Sequence, residues 1–284
     1  MSYPSIEAPY GLKPVNLIGG QVFAGSTREV PIQYADATGI FYGDFVRLVR
    51  GNATRYAVTT SGQGGGMVGI FLGCSFTSPI TKQKVFAQNW VAGTLAGDAV
   101  AIICDDPDTV FKAVVCSAGT TLASGSYAMI GQNYSMIDGT GNLTSGNSTN
   151  ALLYSATLTT AAFPVRVVGV VPDTIASVTA TGSSSSTTIT LTGSGLPSAI
   201  LAGTDVSYIA GGASPTGQII RTGSFVTTAA AAGATSVTIN VATSSLGGTA
   251  TTIPSNSTII FSQIPEMLVK INFASHSYYT ATAV

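Results

Sequence analysis

The sequence predicts an all-β protein: an antiparallel sandwich or barrel that carries a small inserted β-sandwich module. Runs of roughly four to ten residues rich in Val, Ile, Phe and Tyr alternate with Gly, Pro, Asn and Ser along most of the chain. No segment shows the apolar spacing of an amphipathic helix. The strand-like runs follow one another too closely for helical crossovers, so we expect neighbouring strands to be antiparallel.

The strand pattern is clearest in the first two-thirds of the chain. It covers residues 45–50, 67–76, 84–90, 98–104, 110–116, 127–132, 152–158 and 165–171. Large aromatic side chains in and around these segments are predicted to fill the core, because they bury more apolar area than any other side chains. They are Phe41, Tyr42, Phe45, Phe71, Phe76, Phe86 and Trp90.

The composition changes sharply near residue 174. From there to residue 264 about two-thirds of the residues are Gly, Ala, Ser or Thr, and the charged side chains are Asp205 and Arg221. Strand alternation persists at 187–191 and 236–241, which favours a small β-sandwich. A flexible Ser/Thr-rich stalk is the alternative.

The strand-like run 267–273 returns to the character of the first half of the chain. This return predicts that residues 21–173 and 265–284 form one β-rich core domain. Residues 174–264 are then a module looped out of it, because long surface insertions cost little loop-closure entropy.

Residues 1–20 are predicted to form an extended N-terminal arm. Pro4, Pro9 and Pro14 disfavour helix and bias the preceding residues towards extended backbone. We expect the arm to add to a sheet edge of a neighbouring subunit or another protein, with packing on its own domain as the alternative. The candidate contact residues are Tyr3, Ile6, Tyr10, Leu12, Val15, Leu17 and Ile18.

Charge and hydropathy exclude several classes of protein. The 284 residues include 11 Lys and Arg and 12 Asp and Glu, only 8% in total, and the cations form no stripe. Direct nucleic-acid binding is therefore not expected, since phosphates need clustered cations. No apolar run approaches the ~18 residues of a membrane helix, and the N-terminus lacks the pattern of a secretory signal. We expect synthesis in a cytoplasm, with Cys74, Cys104 and Cys116 as buried free thiols.

Motifs that could carry chemistry are weak. Residues 64–69 match G-x-G-x-x-G but open a strand and not a helix, so the match is attributed to chance. His276 is the single histidine and is interpreted as a surface or interface residue. Asp105, Asp106 and Asp108 lack calcium-loop spacing and are interpreted as a turn around Pro107. The sequence therefore predicts no enzyme activity, metal or cofactor.

Seven short segments, taken in their order along the chain, resemble those of one family. They are residues 10–15, 19–20, 23–28, 39–44, 69–74, 105–111 and 276–279. They resemble head decoration, or cement, proteins of tailed bacteriophages of cyanobacteria and marine bacteria. The resemblance covers residues 10–173 and 265–284, whereas 174–264 departs from the pattern.

The resemblance implies a structural virion protein made in the host cytoplasm. Such a protein docks on the outer surface of the head as a homotrimer, contacts the major capsid protein and stabilises the capsid lattice. The alternatives are a head fibre or adhesin that binds host-surface glycans, and a neck or tail component.

Overall fold

The computed structural model describes residues 6–58, 66–154, 163–171, 174–181, 187–211, 217, 219–240 and 253–279. In these residues the regular structure is strand, apart from one 3-10 turn at Tyr127–Met129. The all-β prediction is confirmed, and no helix in the described part is long and apolar enough to cross a membrane. The strand prediction for residues 127–132 is wrong, because the Ser126 hydroxyl accepts the Ala128 N–H and starts the 3-10 turn there.

Turns and loops of varied length join the strands along the described chain. In chain order they are β1 (Lys13–Leu17), β2 (Arg28–Pro31), β3 (Ile40–Phe41), β4 (Phe45–Val49), β5 (Asn52–Arg55), β6 (Gly69–Thr77), β7 (Lys84–Ala87), β8 (Asn89–Trp90), β9 (Val100–Cys104), β10 (Thr109–Ala118), β11 (Thr121–Leu122), β12 (Asn133–Tyr134), β13 (Met136–Ile137), β14 (Ala151–Leu153), β15 (Val165–Val171), β16 (Thr174–Thr179), β17 (Thr188–Thr190), β18 (Asp205–Ile209), β19 (Ile219–Phe225), β20 (Ser236–Thr238), β21 (Thr258–Gln263) and β22 (Glu266–Ile271).

The chain forms two compact units, and each is assembled from separated stretches of sequence. The larger unit comprises Ala8–Thr121, Gly131–Val168 and Leu268–Val284, and the smaller comprises Met1–Glu7, Leu122–Ile130 and Gly169–Met267. The predicted domains were residues 1–20, 21–173 with 265–284, and 174–264. The structure differs from them by placing Leu122–Ile130 and the boundary residues 169–171 and 265–267 in the smaller unit, and by including residues 8–20 in the larger one.

Two sheets make up most of the larger unit. One runs in the order β12-β15-β22-β10-β14-β13, with β1 and β11 also paired to β10. The other runs β2-β9-β6-β4-β5, with β7 paired to β6. Within these two sheets β1 runs antiparallel to β10, β2 to β9 and β6 to β7, whereas β10 and β14 are parallel. The predicted strand 84–90 is divided at Gln88 into β7 and β8, and residues 155–158 of another predicted strand lie outside the described residues.

Aromatic side chains fill the core of the larger unit largely as predicted. Trp90, Phe41, Phe45 and Phe71 are buried, and the remaining predicted core aromatics except one are half-buried. The exception is Phe86, whose side chain is 78% exposed. The prediction for Phe86 is wrong because β7 lies at the edge of its sheet.

The smaller unit is a four-stranded sheet, β16-β21-β18-β19, with the two-stranded sheet β17-β20. The strand predictions at 187–191 and 236–241 are confirmed as far as those residues are described, because β17 pairs with β20 there. The core of this unit is apolar. It contains Ala176, Ala180, Ile189, Leu191, Leu196, Ile200, Val206, Tyr208, Val226, Val237, Ile239, Ile253, Ile259 and Phe261.

The segment Leu122–Ile130 joins the smaller unit through polar contacts. The Ser126 hydroxyl donates to an Asp205 carboxylate oxygen over 2.9 Å. The Arg221 guanidinium lies 4.0 Å from the Tyr127 ring centroid. Burial raises the pKa of Asp205, and the Ser126 hydrogen bond and the Arg221 charge partly oppose that shift. Both charged side chains of residues 174–264 therefore serve to hold a segment that lies far earlier in the chain.

Candidate interaction surface

Two glycines let the N-terminal segment pack closely on the larger unit. Gly11 and Gly43 have left-handed φ values of +76° and +90°, and the Leu12 N–H donates to the Gly43 carbonyl over 3.1 Å. A Cβ on Gly11 would lie 2.7 Å from the Ser148 Cβ and 2.8 Å from the Gly43 carbonyl oxygen. Glycine meets both demands, the φ and the spacing, because it has no Cβ. This contact determines where β1 begins.

β1 is extended and pairs with a strand of the same chain. It runs antiparallel to β10, from Lys13 opposite Lys112 to Leu17 opposite Thr109. This pairing within one chain corresponds to the alternative, packing of the segment on its own domain, and not to an arm exchanged with a neighbouring subunit. Attachment of this segment to a second molecule stays a prediction for those of its side chains that remain exposed.

The candidate contact residues of the N-terminal segment have different environments. Tyr3 lies outside the described residues. Leu12 is fully buried, so its side chain is not accessible to another molecule. Three others are half-buried: Ile6, Tyr10 and Leu17. Val15 and Ile18 are exposed.

A hairpin that begins with β1 concentrates exposed apolar side chains. The Leu17 N–H donates to the Gln21 carbonyl over 2.8 Å, and Asn16 bridges to Val22. Val15, Ile18 and Val22, which we call the apolar crest, are 43%, 54% and 81% exposed. Single exposed apolar residues are ordinary, but three on one short hairpin are typical of an interaction site. The sequence prediction missed Val22, because a single Val between Gly-rich turns shows no alternation.

The buried carboxylate of Asp44, which directly precedes β4, holds several separate segments of the larger unit together by hydrogen bonds. Asp44 is fully buried and accepts hydrogen bonds from the Phe41 N–H, the Arg55 Nε–H, the Ser148 hydroxyl and the Asn150 amide, at 2.6–3.2 Å. Burial raises the pKa of Asp44, while the Ser148 hydrogen bond and the Arg55 charge lower it. With each oxygen bonded twice, Asp44 is saturated and has a structural role.

The acidic cluster forms the predicted turn. Asp106 Oδ1 accepts the Asp108 N–H over 2.9 Å and links β9 to β10. Asp105 pairs with Arg28 at 2.8 Å, and Asp108 pairs with Lys270 at 2.7 Å. Across the described residues, no group of three or more His, Cys, Asp and Glu side chains is placed to hold a metal ion. These carboxylates are instead used in a turn and in ion pairs.

His276 is buried, so its interpretation as a surface histidine is wrong. Its side chain is 1% exposed, and its Nδ1 accepts the Tyr278 N–H over 3.2 Å. The backbone on either side bonds to Met67, with Met67 N–H donating to Ser275 and Ser277 N–H donating to Met67. Burial lowers the pKa of His276, an effect that the Asp105 backbone and carboxylate partly oppose.

Three aromatic rings remain about half exposed around this histidine. Phe273 and Tyr279 pack edge to face with ring centroids 4.7 Å apart. Tyr278 donates a hydrogen bond to Asp105 and lies beside the His276 ring. Phe273, Tyr278 and Tyr279, which we call the aromatic cluster, are 50%, 51% and 54% exposed.

The three cysteines are buried and free, as predicted. Burial raises the pKa of Cys74 and of Cys116 to about 11. Both are therefore protonated near neutral pH and are poor nucleophiles.

Comparisons with known proteins identify no relative. No protein-family model matches this chain, and neither the curated proteins nor the solved structures contain a match.

Proposed function

We propose that this protein is a non-enzymatic structural component of a phage particle, which docks on the outside of the head and cements the capsid lattice. The observation that supports the proposal most directly is the apolar crest of Val15, Ile18 and Val22. It lies on the hairpin that begins within the first segment of the family resemblance, residues 10–15. The major capsid protein is the proposed partner, and a homotrimer is the proposed active form.

A weakly charged surface with a compact apolar contact suits this role. With 8% charged residues, docking removes few charges from water, and the exposed apolar side chains supply the driving force. A protein that binds only the assembled lattice stabilises that lattice by mass action. Three linked contacts in a trimer raise the effective affinity further.

Head-binding assays with crest variants test the proposal. We expect Ile18→Asp and Val22→Asp to lower occupancy on purified undecorated heads at least about tenfold, because each places a carboxylate in an apolar contact. Leu95→Asp is the matched control, since Leu95 is 55% exposed and lies outside the crest. Equal occupancy by crest and control variants would contradict docking through the crest.

Copy number in purified particles separates the head from other positions. A decoration protein is expected in numbers that scale with the capsomers of the lattice. A neck or tail component is expected in the number of a single ring. A single-ring copy number would overturn the decoration role even if the crest binds the particle.

The aromatic cluster favours one second function, the binding of host-surface glycans. Phe273, Tyr278 and Tyr279 present half-exposed aromatic rings, and the two tyrosines add hydroxyl groups, beside the paired charges of Arg28 and Asp105. The aromatic residues of the smaller unit suit this role less well, because Tyr208 and Phe261 are buried. Glycan-array binding that is lost in Tyr279→Ala would support an adhesin, whereas no binding would leave the cement role as the proposal.

A further inference from the structure

Strand β7 has a free edge. It pairs with β6 on one side, and within the described part of the chain no strand pairs with its other side. The Ser78 N–H donates to the opposed Gln83 carbonyl over 2.8 Å, so this is a hydrogen-bonded pair. Because such pairs alternate along an antiparallel ladder, the backbone groups of Lys84 and Phe86 point away from β6. Each of these residues offers one N–H and one C=O to another strand.

The opposite side of β6 shows the same alternation. Thr77 is opposed to Lys84, and its N–H donates to the Asp98 carboxylate over 2.9 Å. This N–H therefore points away from β7, as a non-hydrogen-bonded pair requires. Two independent hydrogen bonds thus agree on which backbone groups face outward.

The side chains at this edge are also unusually exposed. Phe86 is 78% exposed, and Ile80, in the turn between β6 and β7, is 88% exposed. Phe86 borders an open groove of about 590 Å³ that Leu72 and Ile102 also line. An exposed aromatic on an unpaired edge is a combination that monomeric sheet proteins usually avoid.

We propose that two copies of this protein pair antiparallel through β7, about a two-fold axis at Val85. Lys84 of each copy then lies opposite Phe86 of the other. In this register the outward N–H and C=O of both residues are all bonded across the axis. The sheets of the two copies become continuous, and the interface is isologous.

Charge and the length of β7 favour this register over its neighbours. A shift in one direction places Lys84 opposite Lys84 of the second copy, which is unfavourable for a cross-strand pair. A shift in the other direction uses Gln88, which lies beyond the end of β7. In the proposed register Lys84 meets the exposed Phe86 ring, a cation–π arrangement. Asp98, 3.7 Å from the Lys84 ammonium, balances its charge within each copy.

The size of the edge limits the strength of the pairing. A four-residue strand buries much less than the ~800 Å² per partner of a standard stable interface. Free protein is therefore expected to associate weakly and reversibly. Copies held close together would pair far more completely, because their effective concentration is high. The pairing does not depend on the proposed head-binding role, so the two are tested separately.

Light scattering and analytical ultracentrifugation of the free protein test the pairing, over roughly 10 μM to 1 mM, the range suited to a weak complex. The wild type is expected to double its mass relative to the smallest species as the concentration rises. Phe86→Lys places like charges opposite each other twice and is expected to weaken association at least about tenfold. Adding Lys84→Glu to that variant makes both cross-pairs opposite in charge and is expected to restore association.

Leu95→Lys is the matched control, with the same charge change at a site 55% exposed. It is expected to associate like the wild type. Circular dichroism and the fluorescence of buried Trp90 verify the fold of each variant. Three results would overturn the proposal: a wild type that keeps its smallest mass throughout, a Phe86→Lys variant that associates normally, or a double variant that fails to recover.

Discussion

Replacing Gly11 by alanine is expected to destabilise the larger unit and to displace the apolar crest. The substitution forces a side chain into left-handed backbone, at about 1–2 kcal/mol. Its Cβ would also meet Ser148 and the Gly43 carbonyl at under 3 Å, so the segment must move. Movement re-exposes part of Leu12, whose burial is worth about 1.5–3 kcal/mol, and weakens its hydrogen bond to Gly43. The expected total is about 3–5 kcal/mol.

Gly20→Ala is the control that isolates the backbone contribution. Gly20 has φ of +79°, almost that of Gly11, but nothing lies within 4 Å of a Cβ placed there. It should therefore cost only the conformational penalty of about 1–2 kcal/mol. The difference between the two variants measures the close approach of the N-terminal segment to Gly43.

Urea unfolding followed by Trp90 fluorescence provides the measurement. Trp90 is the single tryptophan and is buried in the larger unit, so its emission reports that unit alone. With a slope of about 2 kcal/mol/M, the Gly11→Ala midpoint should fall by about 1.5–2.5 M and that of Gly20→Ala by about 0.5–1 M. Equal midpoints for the two variants would refute the role assigned to the contact between Gly11 and Gly43.

Three further predictions concern buried polar groups. Asp44→Asn removes the charged partner of Arg55 from a fully buried site and should lower the free energy of unfolding by about 3–5 kcal/mol in the same urea assay. Asp106→Asn is the control: it keeps the turn hydrogen bond and should change the free energy of unfolding by no more than about 0.5 kcal/mol. Because the pKa of His276 is lowered on folding, the unfolded chain binds a proton first as the pH falls below about 6.5, and stability decreases there. His276→Gln should flatten that decrease between about pH 7 and 5, and an unchanged slope would contradict a neutral buried imidazole. Ser126→Ala removes a hydrogen bond from buried Asp205 and should lower the stability of the smaller unit by about 1–3 kcal/mol in a thermal melt. If the variant melts at the same temperature as the wild type, this bond does not hold Leu122–Ile130 in place.

The placement of the acidic turn could be predicted, but that of the histidine could not. Asp106 and Asp108 interact across two positions, so the local pattern around Pro107 was sufficient to identify the turn. His276 is buried because the backbone around it bonds to Met67, more than two hundred positions earlier in the chain. A polar and aromatic context gives no sign of such a long-range contact.

The exposure of the candidate contact residues followed from the local sequence only in part, for a similar reason. Val15 and Ile18 belong to a segment whose prolines favour extended backbone, and both are exposed. Leu12 has the same local character, yet it is buried by the approach of Gly11 to Gly43. Phe86 was predicted to be core because aromatic side chains bury a large apolar area. The local sequence does not show whether its strand lies at the edge of a sheet, and β7 does.

The sequence by itself determined the β class and the strand character of the Ser/Thr-rich region as far as its residues are described, because alternation and turn chemistry are local properties of the chain. The tertiary structure alone decided that β1 pairs with β10, that Leu122–Ile130 belongs with the smaller unit, and that no other described strand covers the outer edge of β7. The physical reason is that strand pairing joins residues distant in sequence. Which face of a strand is buried, and which edge stays open, follows from those partners and not from the strand itself.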